Sequence, residues 1–320
     1  MRPPVFCAVV LAAGIFGTLS FAATLVPIAT VQGSVSTLVT GVNKNAIVTG
    51  SWYDNSGVEH GFFGSYDGSN YTTFDIGSEG TEPRAIDNQG YIAGAYNTDP
   101  LKYLALREFE RLPDGTILTI SKRSKELRGY AEGLDSRNNV FVGEYMIGKT
   151  GYVHGYYGKD GRYKGEVQVA GSNFWTGPRA INNSGVISGW FKGQGKNEGF
   201  VLNAGTTTVV DYPNADSIGT YLEGISDKGI VSGFWYDANY VNYAFIYDPA
   251  TSVFTDVVVP NATTAQAWQI SSNGLVVVDS DVGNFIYCLE KKSCPVGGVE
   301  VGEHSIRSPR KPVAAPPPAP

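Results

Sequence analysis

The chain has 320 residues, including 40 glycines and 19 tyrosines, and only 17% of its residues are charged. Its net charge of -6 provides no basic face to meet phosphates, which argues against a nucleic-acid partner. Glycine and tyrosine at this level favour turns and aromatic-studded strands over helices, so an all-β fold is expected.

Residues 1–22 read as a secretory signal. Arg2 supplies the positive start, and Val5 to Phe21 is an uncharged, mostly apolar run. Ser20-Phe21-Ala22 places small residues three and one before a cut after Ala22. The competing reading is an uncleaved anchor, but the run is barely long enough to span a bilayer. Cys7 is too early and wrongly flanked for a lipoprotein site. The mature chain is therefore expected to be secreted or periplasmic, monomeric, and without a membrane segment.

A repeat then fills most of the chain. Its copies begin at Gly41, Ala85, Gly133, Ala180, Gly224 and Gln269, as in Ala180-Ile-Asn-Asn-Ser-Gly-Val-Ile-Ser-Gly189. Each has a short apolar step, an Asn/Asp/Ser-rich turn and a β-branched run that ends on glycine. Gly90, Gly185, Gly229 and Gly274 close the turn where a positive φ is expected. Asn138-Asn139 serves there in the third copy, and Ala46 is the misfit in the first. The sixth copy loses its final glycine to Val278.

Two residues past the closing glycine stands an aromatic: Trp52, Tyr96, Tyr145, Phe191 or Trp235. These rings are expected to pack between sheets; the alternative is a set of sugar-stacking platforms. A third strand follows, as in His60-Gly61-Phe62, His154-Gly155-Tyr156 and Tyr243-Ala244-Phe245, then a fourth, as in Thr206 to Asp211. In the second unit Lys102-Tyr-Leu-Ala-Leu106 stands where the triplet belongs. Four short strands in roughly 45 residues predict a six-bladed β-propeller. A β-solenoid is the rival, with repeats that are usually shorter.

The sixth copy runs out near Cys288, and Ala23 to Ala29 resembles a fourth-strand segment. The mature N-terminus is thus predicted to complete the last blade. Cys288 and Cys294, the two cysteines left after signal removal, are expected to form a local disulfide beside that seam. The propeller is assigned to 23–298, and the Pro-rich stretch 299–320 to a disordered tail.

The motif at 180–189 and 224–233, with the triplets at 60–62 and 243–245, resembles the bacterial HAF family of probable extracellular repeat proteins. The resemblance covers roughly residues 23–287. It implies export and a propeller-like fold, and it assigns no catalytic or binding residue.

The residue before each repeat start should lie on the innermost strand, near the central channel. These residues are Thr40, Arg84, Glu132, Arg179, Glu223 and Trp268. Four consecutive blades thus alternate in charge. One reading is an inter-blade ion-pair ring; the other is a ligand site at the channel mouth, built from Arg84, Glu132, Arg179 and Glu223 with Trp268 as a stacking surface. His60 and His154 hold equivalent places in different blades, no third metal ligand joins them, and no calcium loop occurs. No Walker, dinucleotide or Gly-x-Ser-x-Gly motif is present. No cofactor, metal or catalytic residue is assigned. The expected function is an exported, non-catalytic binding or scaffold propeller for a protein or glycan. The alternative is a secreted propeller enzyme, a lyase or hydrolase acting on a carbohydrate or lactone, for which Glu132 and Glu223 are the carboxylates to consider.

Overall fold

The computed structural model describes residues 23–307 apart from 78, 100–104, 121–125, 136, 148–150, 173–174, 217 and 302–303; 126–128, 147 and 304–307 are described by their backbone alone. The signal segment and residues 308–320 lie outside the described residues.

Six antiparallel blades of four strands each form a ring, and the sheets of the fifth and sixth each gain one further strand. Blade 1 comprises Ser36–Val42, Ile47–Tyr53, Glu59–Ser65 and Thr72–Phe74. Blade 2 comprises Thr81–Ile86, Ile92–Asn97, Leu106–Arg111 and Ile117–Thr119. Blade 3 is Glu126–Asp135, Val140–Ile147, Val153–Lys159 and Arg162–Val167. Blade 4 is Thr176–Ile181, Ile187–Lys192, Asn197–Asn203 and Thr206–Val210. Blade 5 is Thr220–Ile225, Val231–Tyr236, Asn242–Asp248 and Val253–Asp256. Blade 6 has Ala265–Ile270, Leu275–Ser280 and Gly283–Cys288, and the N-terminal strand Ala23–Pro27 completes it by pairing with the third. The first strands touch their neighbours around the ring, which closes where blade 6 meets blade 1.

The repeated turn explains the Asn/Asp/Ser run. Asn43 Oδ1 accepts from the Asn45 and Ile47 amides, Asp87 Oδ1 from those of Gln89 and Tyr91, and Asn182 Oδ1 from those of Ser184 and Val186. A side-chain oxygen thereby replaces the backbone partner that a tight turn lacks. Gly90, Gly185, Gly229 and Gly274 take positive φ, and so do Ala46 (56°) and Asn139 (52°).

The spaces between blades hold the core. Val39, Val48 and Phe62 of blade 1 meet Val26, Leu275, Val277 and Ile286 of blade 6. Each such fully buried side chain contributes roughly 2 kcal/mol. The offset aromatics serve packing: Trp235 stacks on Tyr212 and Tyr243, Trp52 on His60, and Tyr145 on His154. The histidine of the triplet is thus the cross-strand partner of the aromatic.

The central glycine of the triplet marks the seat of the next blade. A Cβ on Gly61 would meet Pro83, one on Gly155 would meet Pro178, and one on Gly199 would meet Leu222. In blade 2 the triplet is Arg107-Glu108-Phe109, because Phe109 pairs with Gly94 as Phe62 pairs with Gly50. This corrects its assignment to Lys102–Leu106. Glu108 occupies the glycine position and is fully buried. Blade 3 has the smaller Ala131 where blades 2 and 4 have proline, which offsets part of the added bulk.

The C-terminal segment also departs from expectation. Val299–Val301 pairs with the N-terminal strand, and His304–Arg307 pairs with the fourth strand of blade 5. The propeller therefore extends past residue 298. Two neighbouring outer edges carried unpaired backbone groups, and an extended segment satisfies both. The disulfide Cys288–Cys294, with Cα atoms 5.5 Å apart, anchors the start of this strap.

Candidate functional site

Each first strand carries a β-bulge. The pairing slips between Val39 and Gly41, Pro83 and Ala85, Ala131 and Gly133, Pro178 and Ala180, and Leu222 and Gly224. The extra residues are Thr40, Arg84, Glu132, Arg179 and Glu223. A bulge re-aims its side chain, and here all five line the central channel with Trp268. The closing glycine of the repeat makes room for the bulge. A Cβ on Gly50, Gly94, Gly143, Gly189 or Gly233 would strike a carbonyl oxygen of the bulged strand. In blade 6, where Val278 replaces that glycine, the slip is wider, between Ala267 and Ile270.

The charges pair around the channel. Arg84 holds Glu82 at 2.9 Å and approaches Glu132 at 3.9 Å. Arg179 donates to Glu132 and lies 3.6 Å from both Glu144 and Glu223. Burial disfavours both arginine charges, yet the carboxylates around them more than offset this and both pKa values rise. Burial also pushes Glu223 up to about 7, with Arg179 opposing the rise. Thr40 Oγ1 donates to the Pro83 carbonyl at 2.8 Å, and Trp268 packs against Phe234. Glu132 and Glu223 thus bracket one guanidinium rather than a space for substrate.

Below this layer the channel is nearly closed. Gly41, Ala85, Gly133, Ala180 and Gly224 bring the first strands together; a Cβ on Gly133 would meet Ala180 Cα at 2.6 Å. Gln269 of blade 6 reaches over the neighbouring blade 1 to blade 2, and its Oε1 accepts from the amides of Val42 and Ile86. The cavity that remains is about 50 Å³, room for a few waters and no more.

A larger space opens where the first strands begin. This cleft of about 400 Å³ lies between blades 1 and 2 and reaches Tyr130 of blade 3. Thr40 and Arg84 are shared with the channel. Tyr53, Glu59, Glu79, Glu82 and Asn97 line it, and Tyr53 is exposed. The Arg84 guanidinium lies over the Tyr130 ring at 4.9 Å. A further recess of about 250 Å³ between blades 5 and 6 is lined by Trp235, Tyr243 and Val257 to Val259.

Sequence reasoning placed the bulge residues at the channel but missed Glu82, Tyr130, Glu144 and Trp190. A signal for them existed. They occupy the positions two before the bulge and one past the closing glycine, which pair across the blade as Tyr130 with Glu144. The copies disagree there as strongly as at the bulge itself. Among the described residues no group of three or more His, Cys, Asp or Glu side chains is placed to hold a metal ion. No helix among them is long and apolar enough to cross a membrane.

No protein-family model matches the sequence, and no curated protein matches it. Similar solved structures do exist. A TolB structure from Acinetobacter baumannii aligns with TM-score 0.51 and 11% identity over 78% of this chain, which spans 65% of that one. A streptogramin B lyase structure aligns with TM-score 0.44 and 14% identity over 84% of this chain and 98% of that one. A catalytically inactive virginiamycin B lyase from Staphylococcus aureus, with quinupristin, gives TM-score 0.46 and 11% identity, covering 83% and 98%. The TolB alignment supports the propeller fold alone.

Proposed function

We propose that this chain is an exported, non-catalytic binding propeller that engages a protein or glycan through the cleft at the channel mouth. One observation carries the reading: the channel charges neutralise one another in a space of about 50 Å³, while the adjoining cleft offers about 400 Å³. Ligand pockets need several hundred Å³ and a few convergent polar groups, and the cleft has both. Export is supported by the disulfide, which suits a non-reducing compartment, by the signal-like segment, and by the HAF-type motif. Thr40 and Arg84 form the floor of the cleft; Glu132, Arg179, Glu223 and Trp268 hold that floor in place.

The test is binding of the purified protein to a glycan and cell-surface protein panel, with Tyr53→Ala, Arg84→Ala and Trp268→Ala beside it. Tyr53→Ala should lose binding at unchanged thermal stability, whereas Trp268→Ala should lose stability and keep binding. The reverse pattern would move the site into the channel.

A further inference from the structure

The cleft is unevenly charged. Two carboxylates, Glu59 and Glu82, line it from neighbouring blades with a single cation among the described lining residues, Arg84; the third lining carboxylate, Glu79, has an interaction of its own. Arg84 serves Glu82 at 2.9 Å and faces Glu132 at 3.9 Å, so its charge is shared with a carboxylate outside the cleft. Glu59 comes from the blade 1 side and Glu82 from blade 2. Burial raises the Glu82 carboxyl; Arg84 opposes this, and the nearby charges of Glu59 and Glu132 add to the rise. Like charges brought together across a cleft are relieved by a cation between them.

The rest of the lining narrows the choice. Leu38, Pro83, Leu106 and the exposed Tyr53 ring give apolar wall beside the carboxylates. A long amphipathic side chain matches that combination, with methylenes along apolar surface and the charged head at the carboxylates. A neutral sugar would bring no positive charge to the carboxylates, and an anionic ligand would be repelled.

Resting on the cleft as the binding site, we infer that its ligand is a lysine or arginine side chain presented by a partner protein. Glu59 and Glu82 receive the charged head, and Tyr53 and Leu38 receive the stem.

Saturation-transfer NMR on the full chain, as the cell processes it, tests this with four small probes. These are the N-acetyl, N-methylamide forms of arginine, lysine and norleucine, and free glucosamine. The basic probes should bind and norleucine should not. Glu59→Gln should weaken the basic probes about tenfold or more, with an unchanged melting temperature, and Glu59→Lys should abolish their binding. Raising salt from about 0.05 to 0.5 M should weaken them as well. Equal binding of norleucine, an unaffected Glu59→Gln variant, or silence of both basic probes overturns the inference. Preference for glucosamine overturns the protein source and keeps the cation. A Tyr53-dependent signal from neutral glycans alone overturns the inference and leaves the cleft as the site. Loss of Tyr53 dependence for every ligand overturns both.

Discussion

Replacing Gly189 with alanine should destabilise the propeller far more than the same change four residues earlier, at Gly185. Both glycines belong to the blade 4 repeat, but they answer different needs. Gly185 closes a turn at φ +77°, and a Cβ added there would have nothing within 4 Å. Alanine there meets only the left-handed backbone penalty, about 1 kcal/mol, part of which is offset by a stiffer unfolded chain. A Cβ on Gly189 would meet the Gly177 carbonyl oxygen first, then Pro178 Cα at 2.8 Å and Phe200 Cε1 at 2.9 Å. Favourable carbon contacts lie near 3.5–4.0 Å, so the first strand must shift by roughly 1 Å, against the bulge that aims Arg179. Overpacking of backbone costs about 3 kcal/mol. With a urea m value of about 3 kcal/mol/M for a chain of this size, the midpoint should fall by about 1 M. The Gly185→Ala midpoint should fall by less than about 0.3 M. Equal shifts for the two variants would show that the closing glycine does not make room for the bulge.

Arg179→Met should destabilise by about 3–5 kcal/mol, because Glu132, Glu144 and Glu223 would lose their shared cation in a largely buried site; chemical denaturation should show a larger loss at pH 8 than at pH 5. Burial pushes Glu223 and Glu110 up to about 7 and Asp279 up to about 6. Folded, these groups hold protons that the unfolded chain releases nearer pH 4, so their stabilisation is complete at low pH and is lost as pH rises toward 7. The urea midpoint should therefore fall between pH 5 and pH 8, and Glu110→Gln should flatten that slope; a midpoint that rises over this range contradicts the assignment. Replacing Cys288 and Cys294 by serine opens a short loop and should cost about 2 kcal/mol, measured as a drop in melting temperature that reducing agent reproduces in the parent protein.

Much of the architecture was legible in the sequence because its causes are local. Turn oxygens at Asn43, Asp87 and Asn182, positive-φ glycines, and β-branched runs of period two recur along the chain, and their recurrence counts the blades. Closure was legible too, since the sixth copy lacks a fourth strand and residues 23–27 supply one. The same spacing brought Thr40, Arg84, Glu132, Arg179, Glu223 and Trp268 to one channel.

What the tertiary structure decided are relations between strands, both within a blade and between neighbouring blades. The bulge is a slip in pairing, and only its partner strand shows why Gly189 and its counterparts must lack a side chain. Glu108 facing Ala131's blade, the pairing of 299–301 and 304–307 with two outer edges, and the cleft joining Glu59 to Glu82 each depend on which edges and faces meet. Sequence determined six units and their inward-facing residues through turn chemistry and period. Packing between those units decided that the inward charges hold one another, and that the open space lies beside them rather than among them.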